Sequence, residues 1–118
     1  MRGGRAILVE ANKRLPDWRK AVKEAAIEAM SADFEPLNSP LKLIVNFYLP
    51  RPKKPKFAPY PATKPDLDKY VRSIGDALTE AGAISDDGLI VEIHAMKLWA
   101  GFDGNPPSPG CSVFVTQK

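Results

Sequence analysis

A nine-residue segment of nearly alternating character constrains the fold more than any other part of this sequence. Between residues 41 and 49 apolar side chains recur at every second position, and the opposite face carries Lys42, Asn46 and Tyr48. Successive side chains of a strand point to opposite faces, so a period of two is that of a strand with one buried face. The segment therefore predicts a strand over Leu41–Leu49.

Two other segments have the spacing of amphipathic helices, in which apolar residues recur at intervals of three and four. The first helix starts near Pro16, and its predicted buried stripe is Trp18, Val22, Ala25, Ala26, Ala29 and Met30. The second runs from Asp66 to about Ala81, with a stripe of Leu67, Tyr70, Val71, Ile74, Ala77 and Leu78. Asp66 suits the N-cap position and Gly82 the left-handed position that ends a helix.

Short apolar segments predict three more strands, over Ala6–Val9, Leu89–Trp99 and Cys111–Thr116. Residues 12–15, 31–40 and 101–110 are rich in turn formers and predict connections. The predicted order is β-α-β-α-β-β, an α+β fold with two main helices on a small mixed sheet. A chain of 118 residues predicts one domain spanning residues 1–118.

Composition excludes several classes of protein. No apolar run approaches the roughly 18 residues of a membrane span, and no signal-peptide pattern opens the chain, so we expect no membrane partner. The single cysteine, Cys111, can form no intrachain disulfide, fits a reducing cytoplasm and is expected in the core. His94 is the only histidine, so the chain cannot supply several histidine ligands to one metal ion. We expect its side chain to be packed or half-exposed.

Residues 50–65, called the basic loop below, separate the alternating strand from the second helix. Prolines throughout the loop exclude long regular structure, and its cations are Arg51, Lys53, Lys54, Lys56 and Lys64. Such a run is either a solvated loop or a segment that follows a phosphate backbone, with salt-sensitive binding. Phe57 and Tyr60 either stack on unpaired bases or anchor the loop to the core.

Carboxylates follow the basic loop in two pairs. Asp66 and Asp68 stand at the predicted start of the second helix, and Asp86 and Asp87 stand in a turn beyond it. Acidic residues in a first helical turn complement the helix dipole, and Asp-Gly is a common turn pair, so neither pair by itself requires a ligand. Together, beside a basic loop, they favour hard oxygen ligands for Mg²⁺ or Mn²⁺.

These residues also carry a resemblance. Lys64-Pro-Asp-Leu-Asp-Lys-Tyr-Val-Arg-Ser-Ile-Gly-Asp-Ala-Leu78, followed by Ser85-Asp-Asp-Gly88, resembles the RusA family of Holliday junction resolvases. The match is specific over Thr63–Val91. The resemblance implies a homodimeric, Mg²⁺-dependent endonuclease that cuts four-way DNA junctions symmetrically, with Mn²⁺ able to substitute. It implies a cytoplasmic, nucleoid-associated protein of a kind that a phage or prophage can encode.

The resemblance assigns roles residue by residue. Asp66, Asp68 and Asp87 are the implied metal ligands, with Asp86 as a neighbour, and Arg72 stands where the family places a lysine near the phosphate under attack. Arg72 keeps the charge and can bind a phosphate in two bonds, but it cannot transfer a proton as lysine can. Lys69 replaces the family's usual Asn and joins the cations of the basic loop as a candidate DNA-binding residue. Asp76 is expected to be structural, bonding a neighbouring loop or Arg72.

The implied ligands raise a problem of distance. A helix from Asp68 to Ala81 is about 20 Å long, and Asp87 follows its far end, whereas Mg²⁺ ligands must lie about 2.0–2.1 Å from the ion. Three solutions are open: a shorter helix, a connection that doubles back, or an Asp87 contributed by a second subunit across a two-fold axis.

A second departure from the family lies at the N-terminus. The chain opens at Met1-Arg-Gly-Gly-Arg-Ala-Ile-Leu, which resembles the segment after the family's usual first strand. That strand and some DNA-binding residues are therefore expected to be missing. The sequence thus leaves two functions open, a junction-resolving endonuclease and a DNA-binding or assembly protein of the same fold with weak or no catalysis.

Overall fold

The alternating segment forms the strand around which the other elements are arranged. The computed structural model describes residues 5–12, 18–64 and 66–118. Its elements are β1 (Ala6–Asn12), α1 (Trp18–Ala29), β2 (Leu41–Leu49), α2 (Leu67–Ala81), a 3-10 turn (Asp87–Leu89), β3 (Ile90–Trp99) and β4 (Gly110–Gln117). This order confirms the predicted β-α-β-α-β-β arrangement and the α+β class.

The four strands form one mixed sheet in the order β1-β4-β2-β3. β2 and β3 are parallel because the chain between them crosses over through α2, which returns it to the same end of the sheet. β4 runs antiparallel to both β1 and β2 and fills the space between them. β1 and β3 therefore form the two edges.

One face of the sheet is buried beneath the two helices, and the other is called the open face below. Every odd-numbered residue from Leu41 to Leu49 is buried, as the alternation predicted, and β1 and β4 bury their matching positions at Val9, Val113 and Val115. On the open face Leu8, Phe114 and Ile44 stand opposite one another on neighbouring strands. Leu8 and Phe114 are exposed there.

Three aromatic rings join the two helices to β2. Trp18 of α1 lies 5.5 Å from the ring of Phe47 and 5.7 Å from that of Tyr70, both nearly edge-on. Phe47 and Tyr70 are 5.0 Å apart. Such geometries add to the stability that burial of the rings already gives.

Several boundaries differ from the predicted ones. β1 continues to Asn12, where a turn was predicted, because backbone pairing with Gly110 of β4 extends the ladder. Ala29 is exposed rather than part of the buried stripe of α1, and Met30 lies beyond the helix end. Residues 13–15 and Pro16, predicted as turn and helix start, lie outside the described residues.

β3 begins one residue later than predicted and is irregular at its start. Leu41 pairs with Ile90 and Lys42 with Glu92, so Val91 is an extra residue in the ladder. A bulge of this kind leaves its residue without a cross-strand partner. Val91 is accordingly 62% exposed on the edge strand.

Glu92 connects the edge strand to the last residue of the chain. Its carboxylate accepts a hydrogen bond from Lys118 Nζ at 2.5 Å and lies 2.8 Å from His94 Nε2. The Lys118 bond, followed by the His94 contact, lowers the pKa of Glu92 to about 2. The His94 side chain is 59% exposed, so it is half-exposed rather than packed.

No helix among residues 5–12, 18–64 and 66–118 is long and apolar enough to cross a bilayer.

The burial of Cys111 predicts an unreactive thiol. Cys111 is in the core, as predicted, and burial raises the pKa of its thiol to about 12. Because only the thiolate is nucleophilic, the folded protein should react with Ellman's reagent at pH 8 far more slowly than the protein in guanidinium chloride, where one thiol per chain should appear. Rapid reaction of the folded protein would show that this end of β4 opens easily.

Candidate metal and nucleic-acid site

The N-terminus of α2 presents the first predicted carboxylate pair. Asp66 occupies the N-cap position with extended backbone angles (φ −69°, ψ 146°), as predicted, but its side chain makes no capping hydrogen bond. Its Oδ1 lies 3.3 Å from Lys64 Nζ instead. Asp68 follows in the first turn and is exposed. Capping therefore does not explain why an acid stands at position 66.

Asp68 and Arg72 share one face of α2, because residues four apart on a helix are neighbours. Gly75 and Asp76 continue that face one turn further along the helix. Within the described residues, no hydrogen bond or ion pair reaches the side chains of Asp68, Arg72 or Asp76. The bonds expected of Asp76 to Arg72 or to a loop are thus absent there, and the Arg72 guanidinium is available to an external anion.

The chain turns back after α2 and brings the second carboxylate pair close to this helix. Ala83 N and Ile84 N both donate to Leu78 O as the chain leaves α2 through Gly82, whose φ of 82° is the left-handed value predicted for it. The chain then doubles back until Asp87 lies against Gly75. A Cβ on Gly75 would stand 3.4 Å from Asp87 Cβ and 3.8 Å from its Oδ2. Of the three solutions to the distance problem, the doubled-back connection is therefore present.

Asp86 and Asp87 have different surroundings. Asp86 Oδ2 accepts a hydrogen bond from Gly88 N at 2.8 Å and so caps the 3-10 turn, which is the turn chemistry foreseen for Asp-Asp-Gly. The carboxylate of Asp87 receives no hydrogen bond or cation from the described residues. Of the two, Asp87 is the side chain available for a ligand.

Doubling back shortens the gap between the acids but does not close it. Gly75 is seven residues after Asp68, which places Asp87 about 10 Å further along the helix axis. Accordingly, the described part of the chain contains no group of three or more His, Cys, Asp or Glu side chains placed to hold one metal ion. Exposed carboxylates are suitable ligands for Mg²⁺ or Mn²⁺, so the chemistry of these side chains fits either ion. Their positions in one subunit, however, do not bring three of them to a single ion.

The basic loop is tied to the end of β3 through its backbone. Trp99 Nε1 donates to Phe57 O at 3.1 Å, and Lys97 Nζ donates to Thr63 O at 2.5 Å. These bonds hold the loop beside the strand and lead it to the start of α2. The rings of Phe57 and Tyr60 are 43% and 55% exposed. The bonds from Trp99 and Lys97 thus anchor the loop, and both aromatic residues keep part of their surface exposed.

The cations predicted to bind DNA have different partners. Arg51 lies over the Phe102 ring at 4.5 Å, Lys56 lies over Phe57 at 5.6 Å, and Lys64 pairs with Asp66. Lys53, Lys54 and Lys69 are exposed. All six lie on the basic loop or the first turn of α2, the segment of chain that flanks Asp66 and Asp68, and we call them the basic border.

Comparison with known proteins shows the family of this chain. The family model described as "Endodeoxyribonuclease RusA" matches residues 2–104, a range that contains every candidate side chain discussed above. The chain belongs to the RusA family. A relative, "Crossover junction endodeoxyribonuclease rusA" of Lactococcus phage r1t, is 34% identical over 61 residues. That match covers 52% of this chain and 47% of the relative, so the chain spans about half the length of the curated relative it matches.

Sequence reasoning missed three residues that position the site of this RusA-family chain. Gly75 admits Asp87 to the face of α2, and Lys97 and Trp99 hold the basic loop. A glycine in the middle of an amphipathic helix was a usable signal, because it costs about 1 kcal/mol relative to alanine and so needs a packing reason. Lys97 and Trp99 gave no such signal, since their partners are backbone carbonyls 34 and 42 residues away.

Substitutions at Gly75 test whether its lack of a side chain positions Asp87. Gly75→Ala should fold with equal or slightly higher stability, because the added Cβ only touches Asp87 and alanine favours the helix. Gly75→Leu should lower the free energy of unfolding by about 1–3 kcal/mol and displace the turn, because it overpacks a buried contact. Denaturant unfolding of both variants measures this. A leucine variant as stable as the alanine variant would contradict the assigned contact.

Proposed function

We propose that this protein is a Mg²⁺-dependent, structure-selective endodeoxyribonuclease that resolves four-way DNA (Holliday) junctions. The observation that carries the proposal is the pair Asp66 and Asp68 at the start of α2, directly beside the anchored basic loop, in a chain that matches the RusA family over residues 2–104. The named activity of the phage relative supports the choice of substrate. A role in recombination, repair or phage DNA processing follows from that substrate.

Asp66, Asp68 and Asp87 would hold the divalent ion, for which Mn²⁺ can replace Mg²⁺. When bound, the ion would lower the pKa of a water molecule and offset the charge on the scissile phosphate. Lys64 must release Asp66 for this to happen. Their bond is weak because the lysine side chain is 87% exposed, so an ion can displace it at little cost.

Arg72 would stabilise the charge that develops on the phosphate. It stands one turn from Asp68, and its planar guanidinium can donate two parallel hydrogen bonds to phosphate oxygens. Lys69 adds positive charge beside it. The cations of the basic loop would bind flanking phosphates, which sets position and affinity without reading sequence.

The incomplete ligand set supports a homodimeric enzyme. Asp87 lies about two helical turns from Asp68 of its own chain, so a third ligand for the Asp66 and Asp68 pair would come from Asp87 of a second copy. A two-fold axis with antiparallel α2 helices produces two such shared sites. Two sites related by symmetry are what paired cuts in a four-way junction require.

Replacement of one ligand separates cutting from binding. Asp68→Asn should lower Mg²⁺-dependent cleavage of a mobile four-way junction about 100-fold or more, because it removes a charge that holds the ion, while junction binding in chelator should persist. Labelled junctions on denaturing gels and mobility shifts measure the two. Asp33→Asn is the matched control, because Asp33 is exposed and an asparagine oxygen can still accept the Ser31 hydrogen bond. Equal cleavage by Asp68→Asn and the control would contradict the proposal.

Mixing two inactive variants tests the shared site. In a heterodimer of Asp68→Asn and Asp87→Asn subunits, one shared site carries both substitutions and the other carries neither. Co-refolded mixtures should therefore regain nicking of a single junction strand, although each variant alone is inactive. If the sites lie within single subunits, both sites of the heterodimer carry a lesion and no activity returns, which would overturn the shared site without affecting the proposed reaction.

A second candidate function is supported by a specific observation. Within the described residues three acids do not meet, and the family's lysine and asparagine are replaced by Arg72 and Lys69. These features favour a DNA-binding or assembly protein with weak or no catalysis. Metal-independent junction binding, together with no cleavage in Mg²⁺ or Mn²⁺ by the unmodified protein, would select this function.

A further inference from the structure

A pocket of about 340 Å³ lies at the end of the open face, on the side of the sheet away from α2. Its lining includes Glu10, Tyr48, Pro106, Ser108, Gly110 and Ser112. Its volume is within the range of pockets that bind small ligands. Neither the metal ligands nor the exposed cations proposed above line it.

Small residues on the central strand create the depression. Ser112 of β4 stands opposite Glu10 of β1, and Gly110 of β4 stands opposite Tyr48 of β2. Strands two apart are about 10 Å apart, and Glu10 and Tyr48 stand in rows two residues apart along β4, so they lie diagonally across a floor that carries little side chain. A planar ring that stacks on the tyrosine can therefore direct one edge toward the carboxylate. No hydrogen bond or ion pair reaches the Glu10 carboxylate from the described residues.

The connection between β3 and β4 gives the pocket a preformed roof. Gly101, Asp103 and Gly104 all have positive φ angles, which turn the chain sharply. Gly101 N donates to Pro106 O at 2.7 Å, and Asn105 Nδ2 donates to Trp99 O at 3.0 Å. These two bonds fix the part of the connection that leads into Pro106, which lines the pocket.

The roof also adjoins the basic loop. Arg51 is the second residue after β2 and stacks on Phe102, which belongs to the roof connection. Tyr48 is only three residues before Arg51 on the same strand end. A nucleotide whose phosphate is bound by Arg51 would therefore have its base near the pocket.

We infer that this pocket binds a single unstacked nucleobase that carries an exocyclic amino group. Tyr48 would stack on the base, and Glu10 would accept a hydrogen bond from the amino group, as carboxylates do from cytosine N4. Thymine presents a carbonyl at the corresponding position, which a carboxylate repels. This inference rests on the proposed function to the extent that branched DNA supplies the unpaired base.

Base preference in short oligonucleotides tests the pocket apart from catalysis. Fluorescent thymidine hexamers with one central C, A or G, and an all-thymidine hexamer, are titrated in chelator and followed by anisotropy. The unmodified protein and Asp68→Asn should both bind at least one amino-bearing base about fivefold tighter than thymine. Glu10→Gln should bring that ratio near one, because its amide can also donate to thymine O4. Glu28→Gln, an exposed carboxylate of α1, is the matched control and should keep the preference.

Tyrosine variants separate stacking from hydrogen bonding. Tyr48→Leu should weaken binding of every hexamer about fivefold or more, and Tyr48→Phe should not, because stacking needs only the ring. The proposal that the pocket binds a base would be overturned if the unmodified protein showed no base preference, or if the preference survived Glu10→Gln. Junction cleavage is assayed in parallel. Cleavage without base preference would reject only the proposed base-binding role of the pocket. Base preference without cleavage would reject only the proposed nuclease activity.

Discussion

The position of α2 depends on the contact among Trp18, Phe47 and Tyr70. Each ring belongs to a different element, so the cluster joins α1, β2 and α2 at one place. Tyr70 lies on the buried side of α2, and Asp68 and Arg72 lie on the exposed side. Because side chains on a helix are fixed relative to one another, the rings that hold Tyr70 in the core also set the direction in which the acid and the arginine face.

The acidic site and the basic border are held by different means. Asp87 is placed by backbone geometry, through the turn after Gly82 and the absence of a side chain at Gly75. The basic loop is placed by two hydrogen bonds from β3 to its carbonyl groups. Neither arrangement uses the charged groups that the proposed chemistry needs. Those groups remain exposed to solvent, where an ion or a phosphate can exchange rapidly.

Local patterns gave the elements, and non-local contacts gave their arrangement. The alternation in β2 and the helical stripe of α2 led to bounds that the structure confirms almost to the residue. The end of β1 was predicted too early, because its last residues form a strand only by pairing with β4, about 100 residues later in the chain. Likewise, the bulge at Val91 follows from the register between β2 and β3, which no local signal records.

In the candidate site, too, local patterns could be predicted from the sequence and non-local contacts could not. Asp66, Asp68 and Arg72 are placed on α2 by helical periodicity, so their relative positions could be predicted from spacing alone. The location of Asp87 could not, since it depends on how tightly the chain turns after Gly82 and on whether α2 admits the returning segment. The pocket on the open face is even harder to predict from the sequence, because it depends on the registers of three strands at once.

The prolines of the basic loop have a consequence for how such a protein binds a polyanion. Six of the chain's 12 prolines fall in residues 50–65, at positions 50, 52, 55, 59, 61 and 65. Each fixes one backbone torsion and restricts the residue before it. A flexible chain that closes on DNA loses backbone entropy in proportion to its freedom beforehand. The proline rings restrict this segment before it meets DNA, so it has less freedom to lose and more of the electrostatic attraction is retained as affinity.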